Sequence, residues 1–208
     1  MRIAIIGAGR VGQALAGGWA RAGHEVILGI RDPSKRVAGA RAMAPAQAAA
    51  GAEVIVLALP WAAAEGAIAG LGDLAGRIVI DCMNPIARGP AGLGLAVGPE
   101  TSGGEMVAHW AAGAKVVKTL NQTGAEVMAD AAAFPHPPAM FMAGDDAGAK
   151  ATVAGLLADL GFEPLDAGGL TRARLLEPLA LVWINQAMMQ GKGRDWALAA
   201  IARRGESR

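Results

Sequence analysis

Three glycines close to the start of the chain have types and spacing that could cradle a phosphate. Gly7, Gly9 and Gly12 follow the apolar run Arg2–Ile6 and open an apolar-periodic stretch, Val11–Ala22. In a strand-to-helix turn of the form G-x-G-x-x-G, the first glycine permits the tight turn and the second lets the backbone approach a pyrophosphate. The third lets the helix pack against the strand, while the helix's first N–H groups face the anion. Ala8, Arg10 and Val11 fill the remaining positions of that cradle, and a second strand beginning at Glu25 supports the same reading on its far side.

The cofactor is read at the end of the second strand, where an NAD enzyme places an acid to hold the ribose hydroxyls. This chain has Gly29-Ile30-Arg31-Asp32-Pro33 there. Ile30 occupies the acid's position, and Arg31 could grip a 2′-phosphate with paired, charge-assisted hydrogen bonds. NADP(H) is therefore the expected cofactor, with Arg10 as a second cation. The competing reading makes Asp32 the ribose acid and both arginines solvated surface charges.

Other loops fall where strand ends converge. Leu59, Pro60 and Trp61 close one strand and Asn84 and Pro85 another, positions expected along the cofactor between ribose and nicotinamide. Trp61 would shield the nicotinamide or simply pack. Ser102 or Thr101 reads as a helix cap, and that start could also face the substrate cleft, while Asn121, Gln122 and Thr123 offer polar groups to a second ring, or cap structure instead. No acid–base pair stands out. The chain has no tyrosine, and His24, His109 and His136 lack metal-ligand spacing, so no metal site is expected. Hydride passing directly between two aligned rings needs no protein proton donor, which fits this residue set.

The elements that must position these residues alternate. Strands are expected near Arg2–Ile6, Glu25–Gly29, Glu53–Leu59, Arg77–Asp81, Lys115–Thr119, Ala139–Ala143 and Glu163–Leu165, with helices strongest at Val11–Ala22, Asp146–Leu160 and Leu170–Gln190. Val37–Ala50 is alanine-rich and contains Pro45, so a third strand is either compressed around Arg41–Ala44 or absent. This is the order of an α/β, doubly wound parallel sheet of Rossmann type. A dinucleotide-binding domain over 1–114 is expected, followed by a small α/β lobe over 115–208.

Composition agrees with a soluble, cytoplasmic enzyme. The 208 residues are 53% hydrophobic and 18% charged, with a formal charge of +1, so nothing favours nucleic acid or an anionic membrane. No apolar stretch approaches the ~20 residues of a membrane span. Cys82, the only cysteine, suits a reducing compartment.

The chain resembles the F420-dependent NADP oxidoreductases, a family to which the reductase domains of animal metalloreductases are similar. The matching stretches are Met1–Gly12, Gly23–Arg31, Leu59-Pro-Trp61, Asn84-Pro85, Ala143-Gly-Asp-Asp146 and Leu165–Glu177. The last two are the most diagnostic, because a generic dinucleotide fold does not demand them. The resemblance implies hydride transfer between NADP(H) and a deazaflavin, coenzyme F420, or a related carrier such as a flavin. It also implies a closing C-terminal lobe, a homodimer and a 2′-phosphate on Arg31. Ile30 replaces the hydroxyl residue usual before that arginine and Ala8 a threonine, for which Arg10 would compensate. The long apolar helix from Leu170 is expected to pack in the core and across the dimer, carrying Trp183 or Met188 towards the partner's cleft, with simple packing within one chain as the competing account. Alternatives are an NADPH-dependent flavin, quinone or ferric reductase and a non-catalytic NADP(H)-binding sensor. An imine or 2-hydroxyacid reductase lacks room here for the ~100-residue helical domain common in those enzymes.

Overall fold

Five short apolar runs form the centre of the molecule: β1 (Arg2–Ile6), β2 (Glu25–Gly29), β4 (Val54–Leu57), β5 (Ile78–Asp81) and β8 (Lys115–Lys118). Their side chains are buried on both faces, which is why they read as continuous hydrophobic stretches with no polar alternation. A computed structural model describes residues 1–34, 40–90 and 92–203. The strands join β3 (Arg41–Met43), β9 (Ala139–Gly144) and β10 (Glu163–Asp166) in one sheet of order β10-β9-β8-β5-β4-β1-β2-β3. Residues 115–208 thus supply three strands of the same sheet.

Helices cover both faces. On one, α1 (Arg10–Arg21), α5 (Ala125–Ala129) and α6 (Ala147–Asp159) close over Leu15, Trp19, Val153 and Leu157. The Trp19 indole N–H donates to the Leu156 carbonyl at 2.9 Å, tying α1 to α6. On the other face, α2 (Pro45–Ala50), α3 (Ala64–Ala69) and α4 (Gly103–Trp110) cover Ile27, Ile55, Ile68 and Val107. The fold is the expected doubly wound α/β sheet. The part of the alanine-rich reading from Val37 to Gly39 lies outside the described residues; beyond it the compressed third strand is present as β3, and Pro45 starts α2 at its first turn, where a missing N–H costs nothing.

Three features differ from the sequence reading. The sheet is not wholly parallel: β9 runs antiparallel to β8, pairing Ala143 with Lys118 and Gly144 with Val117, and β10 follows β9 in parallel. The connection from β8 returns through only the five-residue α5 and a proline-rich turn, too little helix for a full crossover. Residues 86–95 form a hairpin, β6 (Ile86–Gly89) with β7 (Gly92–Leu95), whose glycines masked its strand character. The C-terminal helical stretch is divided into a 3₁₀ turn (Leu170–Arg172), α7 (Ala173–Ile184) and a π-helical turn (Asn185–Met189). No helix among the described residues is long and apolar enough to cross a membrane.

Candidate functional site

The glycine loop has the geometry of a cradle. Gly7 has φ +113°, and a Cβ there would overlap the Ala58 carbonyl oxygen. At Gly12 a Cβ would collide with the Gly7 carbonyl oxygen, whereas at Gly9 it would meet nothing within 4 Å. The outer glycines therefore fold the loop and the middle one keeps its surface clear. Gly9 is also the N-cap of α1, with no side chain capping the first amides and no acid in the first turn to compete for them. The Gln13 side chain braces the loop through the Ala8 carbonyl at 2.8 Å. Val11, in the first turn of α1, packs against the core, and Ala8 likewise.

Ile30 and Arg31 follow β2 at the same edge. The Ile30 amide donates to Met43 at 3.0 Å, Ile30 is half-buried against the core, and Arg31 is exposed. Asp32 turns into its own loop, accepting from the Ser34 amide at 3.2 Å and the Ser34 hydroxyl at 2.5 Å. Arg10 points the other way, into an ion pair with Glu126 of α5, and Glu126 also receives Arg194 at 2.9 Å. Burial pushes the Glu126 carboxyl up, but its backbone hydrogen bond and the two guanidinium groups hold it below its ordinary value.

At the ends of β4 and β5, Leu59, Pro60 and Trp61 turn into a 3₁₀ segment (Trp61–Ala63). The Trp61 ring lies 5.3 Å from Trp110 and its outer edge abuts Gly103 at the start of α4, so its ring is packed against that helix. Asn84 and Asn121 exchange hydrogen bonds: the Asn84 amide donates to the Asn121 carbonyl at 2.8 Å, and the Asn121 amide to Asn84 Oδ1 at 3.0 Å. Pro85 is buried behind them.

The loop after β8 is joined to this turn by those Asn84–Asn121 bonds. Leu120 takes φ +58°, a strained left-handed conformation that turns the chain into Asn121. Asn121 and Gln122 are 4% exposed. The Gln122 side chain pairs with both backbone groups of Phe141, at 2.9 and 3.1 Å, standing in for the strand that β8 no longer provides. The Thr123 hydroxyl is buried and has no hydrogen-bond partner among the described residues. Ser102 caps α4: its hydroxyl accepts from the Glu105 amide at 3.2 Å and donates to the Glu105 carboxylate at 2.6 Å, while Arg174 of α7 grips that carboxylate at 2.6 and 2.8 Å. The predicted residues fall on the loops that follow the carboxyl ends of β1, β2, β4, β5 and β8 and, for Ser102, at the start of α4. Ser102, Asn121 and Gln122 spend their polar groups on hydrogen bonds within the chain. Trp183 is buried and stacks on Trp196 at 5.7 Å within its own chain, so Met188, 61% exposed, is the one of that pair at the surface.

Sequence reasoning missed a buried charge cluster beneath the crevice. Asp81 and Lys118 are register partners on β5 and β8, joined at 2.9 Å, and Lys118 Nζ also donates to the Met83 carbonyl at 2.5 Å and to Glu177 Oε1 of α7 at 3.0 Å. The three residues are at most 2% exposed. Burial draws the Lys118 ammonium pKa down, but Asp81 and Glu177 together outweigh it and leave it raised. Removing one partner from such a cluster strands a buried charge, at a cost of about 3–5 kcal/mol. The available signal was an acid and a base closing two neighbouring apolar strands. Between them Cys82 is buried, and that burial, with Asp81 beside it, raises its thiol far above the ordinary range.

A candidate F420-dependent NADP-reductase from Arthrobacter sp. FB24 has this architecture, with a TM-score of 0.87, 37% identity and coverage of 98% of this chain and 100% of that one. This chain belongs to the F420-dependent NADP oxidoreductase family. The family model described as NADP oxidoreductase, coenzyme F420-dependent, matches residues 2–85, the stretch from β1 through the Asn84–Pro85 turn. Hypothetical protein SMa0349 of Sinorhizobium meliloti is 32% identical with a TM-score of 0.74, covering 83% of this chain and 88% of its own. Metalloreductase STEAP3 of Rattus norvegicus is 30% identical over 186 residues, 86% of this chain, which spans only 36% of that relative's length.

In this family member the two most diagnostic stretches face each other as structure. Leu170 N–H donates to Asp145 at 2.8 Å, Gly144 N–H to the Gly168 carbonyl at 3.1 Å, and Lys150 to Asp166 at 2.8 Å. They splice β9 and β10 onto the turn before α7.

Proposed function

We propose that the chain transfers hydride between NADP(H) and a deazaflavin of the coenzyme F420 type, aligned in the crevice above β1, β4, β5 and β8. The carrying observation is the open surface at Gly9, over the uncapped start of α1, with Arg31 exposed at the end of β2. Gly7, Ala8, Gly9, Val11 and Gly12 would hold the pyrophosphate, Ile30, Arg31 and Arg10 the adenosine end, and Leu59, Pro60, Trp61, Asn84 and Pro85 the nicotinamide end. NADPH held there would supply a hydride, which a deazaflavin would take up together with one proton from solvent. Ser102, Asn121, Gln122 and Thr123 would shape the acceptor's side, with the Thr123 hydroxyl still available for a hydrogen bond. Protein groups here align the rings and exclude water, which alone is worth several powers of ten in rate. The reading includes a homodimer through α7, where Leu175 and Val182 are 62% and 59% exposed two turns apart on one face.

Similarity to a metalloreductase supports one second reading, NADPH-dependent ferric reduction through a bound flavin that divides the hydride's two electrons. Steady-state NADPH oxidation with a deazaflavin, with FMN or FAD, and with a ferric chelate plus flavin tests both. Turnover with the deazaflavin alone is the expected result. Turnover only with flavin and ferric chelate would replace the first reading by the second.

A further inference from the structure

Two ties run in parallel from the loop after β5 to α7. The first is ionic: Asp81 Oδ1 accepts from the Met83 amide at 2.9 Å, Lys118 Nζ donates to the Met83 carbonyl at 2.5 Å, and Lys118 bonds in turn to Asp81 and Glu177. Both backbone groups of Met83 are thereby held by one ion pair. The second is an amide chain, from Asn84 to Asn121 and from Asn121 to the Leu176 carbonyl at 3.1 Å. Glu177, next in sequence, also accepts the Gly103 and Gly104 amides at 3.0 Å each, so the first turn of α4 is fastened to the same carboxylate. The absence of side chains at both glycines leaves room for this close packing. A Cβ at Gly103 would lie 3.0 Å from Glu177 Oε1, and one at Gly104 3.0 Å from the Ala173 Cβ.

Three fully buried charges are a poor way to add stability, because desolvation cancels most of their attraction. What this arrangement secures is position. The ionic tie and the amide chain both converge on Met83–Asn84, the turn that in an open α/β sheet lies at the ligand crevice beyond the strand ends. We propose that Asp81, Lys118 and Glu177 are positioning residues for the nicotinamide end of the dinucleotide site, fixing the Met83–Asn84 peptide so that the ring is held in one pose. The proposal rests on the NADP(H) reading above. It assigns to the C-terminal helix a direct part in placing the cofactor: α7 holds the cofactor loop through Lys118 while holding α4 through the same carboxylate.

The test compares two ligands in the full chain: NADPH, and 2′-phospho-ADP-ribose, which keeps the pyrophosphate and 2′-phosphate but lacks the nicotinamide. The double variant Asp81→Asn/Lys118→Met keeps the cluster's net charge and nearly its volume while removing the donor to Met83. It is expected to bind 2′-phospho-ADP-ribose within about twofold of the parent, and NADPH about tenfold or more weakly. The fluorescence enhancement of bound NADPH is expected to fall with it. Should that variant fail to fold, the near-isosteric Glu177→Gln carries the same comparison, with a smaller differential loss expected. Equal losses for both ligands, or none for either, would overturn the proposal while leaving the dinucleotide reading intact. A parent protein that binds neither ligand would overturn both.

Discussion

Gly9 and Gly12 have opposite duties in one loop, and alanine separates them. Gly12→Ala drives a methyl into the Gly7 carbonyl oxygen. Overpacking of this kind costs about 1–3 kcal/mol or more, so a fall of several degrees in Tm is expected by calorimetry. Gly9→Ala meets nothing within 4 Å and has φ −71°, an ordinary value, so its Tm is expected to stay near the parent's. Its methyl instead occupies the pyrophosphate's approach, and NADPH binding is expected to weaken by about tenfold or more. A Gly9→Ala protein that binds NADPH like the parent would count against the cradle. At the end of β2, Arg31→Ala is expected to weaken NADPH by roughly 10- to 100-fold, the value of one or two charge-assisted hydrogen bonds, and to leave NADH unchanged in parallel titrations.

At the scale of elements, paired carboxylates hold the C-terminal half together. Glu105 is held below its ordinary range first by hydrogen bonds from Arg174, Asp146 by the Ala149 amide and then Lys115, and Asp166 by Lys150 and then the Gly168 amide. Because the folded values lie below the unfolded ones, this stabilisation is complete above the unfolded range of about 4 and is lost as pH falls through the folded values. Thermal melts are therefore expected to drop below about pH 4, and Glu105→Gln, which ties α4 to α7 less firmly, to flatten that drop. An acid limb identical in the variant would contradict the assignment. Element by element, the buried parallel strands were legible because continuous apolar runs such as Ile3–Ile6 and Val54–Leu57 admit few other fates. The Ser102 cap of α4 was legible from its side chain, whereas the Asp146 cap of α6 was found in the structure. The direction of β9 was not, since strand direction leaves no trace in a period of two. The hairpin at 86–95 was hidden by glycines, and the Asp81–Lys118–Glu177 cluster joins residues that only the sheet register and α7 bring together.

For the whole molecule, β9 overshoots the end of β8, and the Gln122 side chain pairs with its exposed peptide. The edge of β9 beyond β8 is thereby paired by the loop that carries Asn121, Gln122 and Thr123, the residues proposed for the acceptor. Leu175 and Val182 on α7 and Met188 and Met189 on the turn after it are exposed large apolar side chains. Light scattering at micromolar concentration is expected to give a dimer, and Leu175→Glu/Val182→Glu a monomer; a monomeric parent would remove the two-fold interface from the account. The central claim is that the glycine cradle and Arg31 select NADP(H). Equilibrium titration of the purified chain with NADPH and NADH under identical salt tests it most directly. The account predicts NADPH binding about tenfold or more tighter than NADH; equal affinities, or none for either, would contradict it.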